Sequence, residues 1–162
     1  MIEISAPIQS FRFEEDFMEN NMRCIPMIVR FKLDACGIKL KLSEWSKFKV
    51  DERSQLAEMP CTTRDDIATY RSYLQGLVLQ YTKREATSLA IEQQPAWSIL
   101  HEIPESVAEH IIMHHGSLSR YQWQRLTDLQ RFALIKLSRP SHENKNFPKA
   151  MKEFGLTRVP IL

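Results

Sequence analysis

In several stretches of this chain apolar residues recur at alternating steps of three and four, and that spacing predicts helices. In "RCIPMIVRFKLDACGIKL", residues 23–40, Pro26 suits the first turn of a helix and Gly37 suits the left-handed residue after its end. A helix over 26–36 is therefore expected. Ile25, Ile28, Val29, Leu33 and Cys36 fill one broad face of it, and Met27, Phe31 and Ala35 fill a neighbouring one. Arg30 and Asp34 are four apart, so they can pair along the helix, half exposed. "IKLKL" alternates and reads as briefly extended. Ser43 is placed to cap a short helix holding Trp45 and Phe48, and Asp51 to cap another holding Leu56. Thr63-x-x-Asp66 then opens a capping-box-like start, and Ile67, Tyr70, Leu74, Leu77 and Tyr81 mark the longest amphipathic helix, over about 64–84. Upstream, residues 1–12 read as a loosely attached arm, and "FEEDFMENN" as a short acidic helix with Phe13 and Phe17 on one face.

The second half repeats the order of the first. Ile103-Pro104 opens a helix expected to end at Gly116, as Ile25-Pro26 opens one ending at Gly37. Trp123, Leu126, Arg131 and Leu134 keep the mutual spacings of Trp45, Phe48, Arg53 and Leu56, and "FPKAMKEFG" is a shortened counterpart of the long helix. Two similar helical halves, about 11–84 and 97–160 with a linker over about 85–96, would pack their apolar faces into one core. The expected fold is all-α, a compact helical bundle forming a single domain over 1–162.

Composition narrows the picture without supplying a function. A chain of 162 residues is long enough for a continuous core, and 43% hydrophobic with 26% charged residues is ordinary for a globular protein. Four glycines are too few for the turns of an all-β fold, and seven methionines sit well in helices. A net charge of +2 is too small to suggest a nucleic-acid or membrane-surface protein, and neither partner is expected. The first residues lack a basic stretch leading into an apolar one, and no segment approaches a membrane span, so a cytoplasmic location is expected. Cys24, Cys36 and Cys61 are odd in number and lack C-x-x-C spacing, which fits small buried apolar residues better than a disulfide framework.

Candidate chemistry is sparse. In "EHIIMHHG", His110 and His114 stand at i,i+4 with His115 adjacent, and Glu105 or Glu109 could add an oxygen ligand. The segment is not H-E-x-x-H, and two of these histidines fall in a last helical turn, where positive charge is favoured anyway. The structural reading is preferred, with no metal. Glycine loops for phosphate and a nucleophile elbow are absent, and no cysteine has a histidine nearby in sequence. Glu14, Glu15, Asp16 and Glu19 read as a solvated face. Lys39, Lys41, Lys47 and Lys49 form a basic stretch around Trp45 and Phe48, a mixture that suits either an interface anchor or a core flanked by solubilising charge.

From Phe11 to Leu56 the chain resembles the cyanobacterial nitrate reductase-associated protein family. The residues carrying the resemblance are "FRFEEDF", then "RCIPMIVRFKLDACGIKL", Trp45, and "ERSQL" leading into "EMPC". The run W-x2-L-x4-R-F-A-L-x-K-L at Trp123–Leu137 is compatible, while residues around 83–101 match nothing in it. The resemblance implies a soluble helper of assimilatory nitrate reductase, linked to genes for its molybdopterin cofactor, with no enzymatic activity and no established functional residues. The partner-facing region is instead expected from the residues themselves, bordered by Phe13, Glu14, Asp16, Phe17, Arg23, Arg30, Lys32, Asp34 and Trp45. The reading is a non-catalytic accessory factor for reductase maturation or activity. It carries no cofactor of its own, and its partners are nitrate reductase and, as further candidates, the molybdenum-cofactor biosynthesis proteins. The alternatives are an electron-transfer docking adaptor using the lysines, and a pterin- or metal-binding protein using His110 and His114.

Overall fold

A computed structural model describes residues 9–15 and 21–157. The described chain is mostly helical, with eight α-helices and one two-stranded antiparallel ladder. Its contacts divide it into two compact units, residues 1–92 and 93–162.

In the first unit a 3-10 turn, Arg12–Glu14, precedes α1, Met27–Cys36. Pro26 stands just before α1 in extended conformation, and Gly37 ends it with φ 71°. A side chain at Gly37 would be strained by that φ, and its Cβ would come within 2.7 Å of the Leu89 carbonyl oxygen. The chain passes through β1, Ile38–Lys39, which pairs with β2, Thr87–Ser88. Residues expected as a linker are thus partly built into this unit: Ala86 is buried, and the Leu89 N–H donates to the Gly37 carbonyl at 2.8 Å.

Two short helices follow, α2 over Leu42–Trp45 and α3 over Val50–Glu58. Neither starts at the residue expected to cap it. The glutamates three residues beyond Lys41 and Lys49 decide the starts: Glu44 and Glu52 each accept the backbone N–H of that lysine at 2.8 Å. Ser43 and Asp51 therefore sit inside the first turns. The long helix α4, Arg64–Thr82, begins as expected, with Thr63 Oγ1 accepting from the Asp66 N–H and Asp66 Oδ2 from the Thr63 N–H. It ends at Thr82, two residues short of the expected end, with Lys83 at φ 64° after it. Val29, Leu33, Trp45, Leu56, Tyr70, Leu74 and Val78 form the centre of this core.

The second unit contains α5 Glu105–Met113, α6 Arg120–Arg125, α7 Asp128–Leu137 and α8 Phe147–Glu153. Helix α5 ends before Gly116, the expected stop. His115 takes the left-handed position with φ 58°, and N–H bonds from His115 to Ile112 and from Gly116 to Ile111 close the end. Glycine is required at 116 for space: a Cβ there would stand 2.2 Å from Met151 Cε and 2.9 Å from the Leu156 carbonyl oxygen. Val107, Ile111, Trp123, Phe132, Leu134, Phe147 and Met151 fill this core.

Each unit uses the same local bonding scheme. A fully buried tryptophan donates its indole N–H to a carbonyl upstream of the proline: Trp45 to Met22 at 2.7 Å, Trp123 to Ile99 at 3.0 Å. An arginine eight residues after each tryptophan then gathers carbonyls. Arg53 donates to Trp45, Ser46 and Asn21, and Arg131 donates to Trp123, Trp97 and Leu126 while pairing with Asp128. Leu56 and Leu134, three residues further on, are both fully buried.

Candidate partner-facing region

Helix α1 organises the region expected to meet a partner. Its buried face includes Ile28, Val29, Leu33 and Cys36 and packs against α4 and α3. Glu14 is buried and accepts the Met27 N–H at 2.8 Å, so a carboxylate sits at the positive end of the helix. Lys32 is 8% exposed and points the other way in chemical sense. Its Nζ donates to the carbonyls of Ala57 at 2.7 Å and Met59 at 2.5 Å, closing the C-terminus of α3 from a neighbouring helix. Tyr70 completes that closure by donating its hydroxyl to Leu56 at 2.8 Å. Desolvation by burial holds the Lys32 amine below its usual range, and Cys61 and Glu58 oppose that shift.

These positions sort the expected residues. Trp45, Lys32 and Glu14 lie inside and serve the fold. Arg23 and Asp34 are exposed, while Phe13 and Arg30 are half-buried, with Arg30 Nε donating to the Ile25 carbonyl at 3.1 Å. Phe13 stacks on Phe11, ring centroids 5.2 Å apart. Asp16 and Phe17 lie outside the described residues. The outward edge of α1 is therefore Arg30 and Asp34, continued by half-buried Phe31, and exposed Arg23 lies in the segment just before the helix.

A cleft of about 290 Å³ opens beside that edge, between α1, the end of α3 and the loop 60–62. Burial pushes the Cys61 thiol at its wall up to about 12, and the nearby Cys36 thiol up to about 11. Both thiols are protonated at neutral pH, which is the inert state of cysteine. Cys61 was missed as a wall residue because its neighbours come from α1, far from it in sequence. The basic stretch separates cleanly from its aromatics: Lys39, Lys41, Lys47 and Lys49 are all exposed, whereas Trp45 and Phe48 are core.

In the second unit, His110 and His114 pack their rings on Phe147, at centroid distances of 5.1 and 6.0 Å. His110 Nδ1 lies 2.9 Å from the Ser106 carbonyl oxygen. Among the described residues no group of three or more His, Cys, Asp and Glu is placed to hold a metal, and no helix is long and apolar enough to cross a membrane.

A family model described as conserved nitrate reductase-associated protein matches residues 10–154. No curated protein and no solved structure matches the chain.

Proposed function

The chain belongs to the conserved nitrate reductase-associated protein family, and from that membership we propose that it is a non-catalytic accessory factor that binds the nitrate reductase and supports its maturation or activity. The family match across 10–154 carries this reading, because the family's description ties it to that enzyme. The polar side chains give it support. Glu14, Lys32, Arg53 and Arg131 are occupied in closing helix ends and holding carbonyls. The outward edge of α1, with Arg30, Phe31 and Asp34, together with Arg23 in the segment before it, is the proposed contact with the reductase, where charge sets orientation and an aromatic adds apolar area.

The test is capture of purified reductase, prepared with and without its molybdenum cofactor, on the immobilised protein. Preferential capture of the cofactor-free form is expected for a maturation factor. Failure to capture either form overturns the reading. A variant, Arg23→Glu, should weaken capture without lowering the melting temperature, because that side chain is exposed. Lys32 is unsuitable for such a reversal, since a carboxylate there would face the carbonyls of Ala57 and Met59.

The exposed lysines favour one second reading, an electrostatic docking adaptor between the reductase and its electron donor. That contact would weaken steeply with salt, whereas an apolar chaperone contact would not.

A further inference from the structure

Lys32 has one proton more than the fold uses. An ammonium group carries three N–H donors. Two go to the carbonyls of Ala57 and Met59, and no described residue accepts the third. The Tyr70 ring centroid lies 5.9 Å from Nζ, at the outer limit of a cation–π contact, and offers little. No carboxylate of a described residue lies within ion-pair distance of Nζ; Glu58, whose charge reaches it, is exposed. The carbonyls at the end of α3 offset part of the positive charge, and among the described residues the rest has no counter-charge within ion-pair distance.

The same lysine lines the cleft of about 290 Å³. Ile28, Phe31, Ala57 and Pro60 give that cleft an apolar wall, and Thr62 and Gln9 add groups able to donate hydrogen bonds. The volume is at the small end for ligand pockets, about 300 Å³ and upward.

We propose that this cleft binds a small monocarboxylate with an aliphatic tail. Its carboxylate accepts from Lys32 Nζ and the Thr62 hydroxyl, and its tail lies against Ile28, Phe31 and Pro60. Glu58 on the cleft wall disfavours a second negative charge and so selects against dicarboxylates. This site shares Phe31 with the proposed reductase contact, but its test uses no reductase, so the two readings fail independently.

The test titrates the full chain with hexanoate, hexan-1-ol and adipate by calorimetry, following the lysine side chains by ¹³Cε resonances. Hexanoate should bind at least about tenfold more tightly than hexan-1-ol, the share of one charge-assisted hydrogen bond. It should also move the Lys32 resonance, and adipate should bind more weakly than hexanoate. Equal affinity for acid and alcohol, or a Lys32 resonance that stays in place, overturns the proposal. Lys32→Met should abolish hexanoate binding, but it also removes a closure of α3. Phe31→Gln, at a half-buried wall position, supplies the second variant: it should weaken hexanoate and leave acetate unchanged. Unchanged hexanoate affinity in Phe31→Gln overturns the placement of the tail.

Discussion

Arg53 and Arg131 occupy matching positions, yet their surroundings differ enough to separate their energetic roles. Arg131 is 4% exposed and satisfies carbonyls at Trp97, Trp123 and Leu126, with Asp128 as its ionic partner. Arg53 is half-buried, and the carbonyls of Asn21 and Ser46 that it bonds are at exposed residues where water can replace it. Removing a donor from a buried acceptor costs about 1–3 kcal/mol each, so Arg131→Met should destabilise its unit by more than about 3 kcal/mol. Arg53→Met should cost about 1 kcal/mol, the net worth of hydrogen bonds that water can replace. Urea unfolding followed by tryptophan fluorescence compares them, and equal losses would refute this ranking. The spacing of Trp, Arg and Leu was visible in the sequence. The destination of the guanidinium was not, because Trp97 lies thirty-four residues before Arg131.

Helices were the most readable elements, since their signals are local. Pro26 with Gly37, and Thr63 with Asp66, placed the boundaries of α1 and the start of α4 correctly. The starts of α2 and α3 were misread, because a glutamate three residues into the helix can close the end with a lysine at the cap. The stop of α5 was misread for a different reason: His115 accepted the left-handed conformation, and Gly116 answers to packing against Met151. Glycines therefore make a sharp test at this scale. Gly76 lies exposed in α4, and a Cβ there meets nothing within 4 Å, so Gly76→Ala should stabilise by about 0.5–1 kcal/mol. Gly37→Ala should destabilise by at least about 1–2 kcal/mol, the usual penalty of a left-handed non-glycine residue, with the clash against Leu89 in addition. Thermal melts of the two variants should move in opposite directions.

At the scale of the molecule, alkaline pH reports on the first unit, which holds all three cysteines. Burial raises Cys36 from 9.0 to about 11 and Cys61 from 9.0 to about 12, and it pushes Tyr70 up as well. Groups raised on folding hold their protons in the native state after the unfolded chain has lost them. Their stability is fully present below the unfolded values and is lost as pH rises through 9 toward 11 and 12. Lys32 acts in the opposite sense: lowered by burial, it makes unfolding harder as pH rises toward 10.5. Two thiols and a phenol outweigh one amine, so the midpoint of urea unfolding should fall between pH 9 and 11.5. Cys61→Ala should flatten that fall. A midpoint independent of pH over this range would contradict the burial of these groups.

The helical character, the order of helices and the tryptophan–arginine–leucine spacing were set by the chain's own periodicity and its local start and stop residues. Those features depend on neighbours within a turn or two. Tertiary structure decided which charges stay outside. Lys32 and Glu14 look like surface charges in sequence, and each is drawn in by an unsatisfied helix end: the carbonyls of α3 for one, the first N–H of α1 for the other. Arg23 and Asp34 stay exposed. The cleft belongs to the same class of fact, since its walls come together from α1, α3 and the loop after it. Backbone groups left over at helix termini are satisfied by whatever side chain packing delivers, and only the fold determines which one arrives.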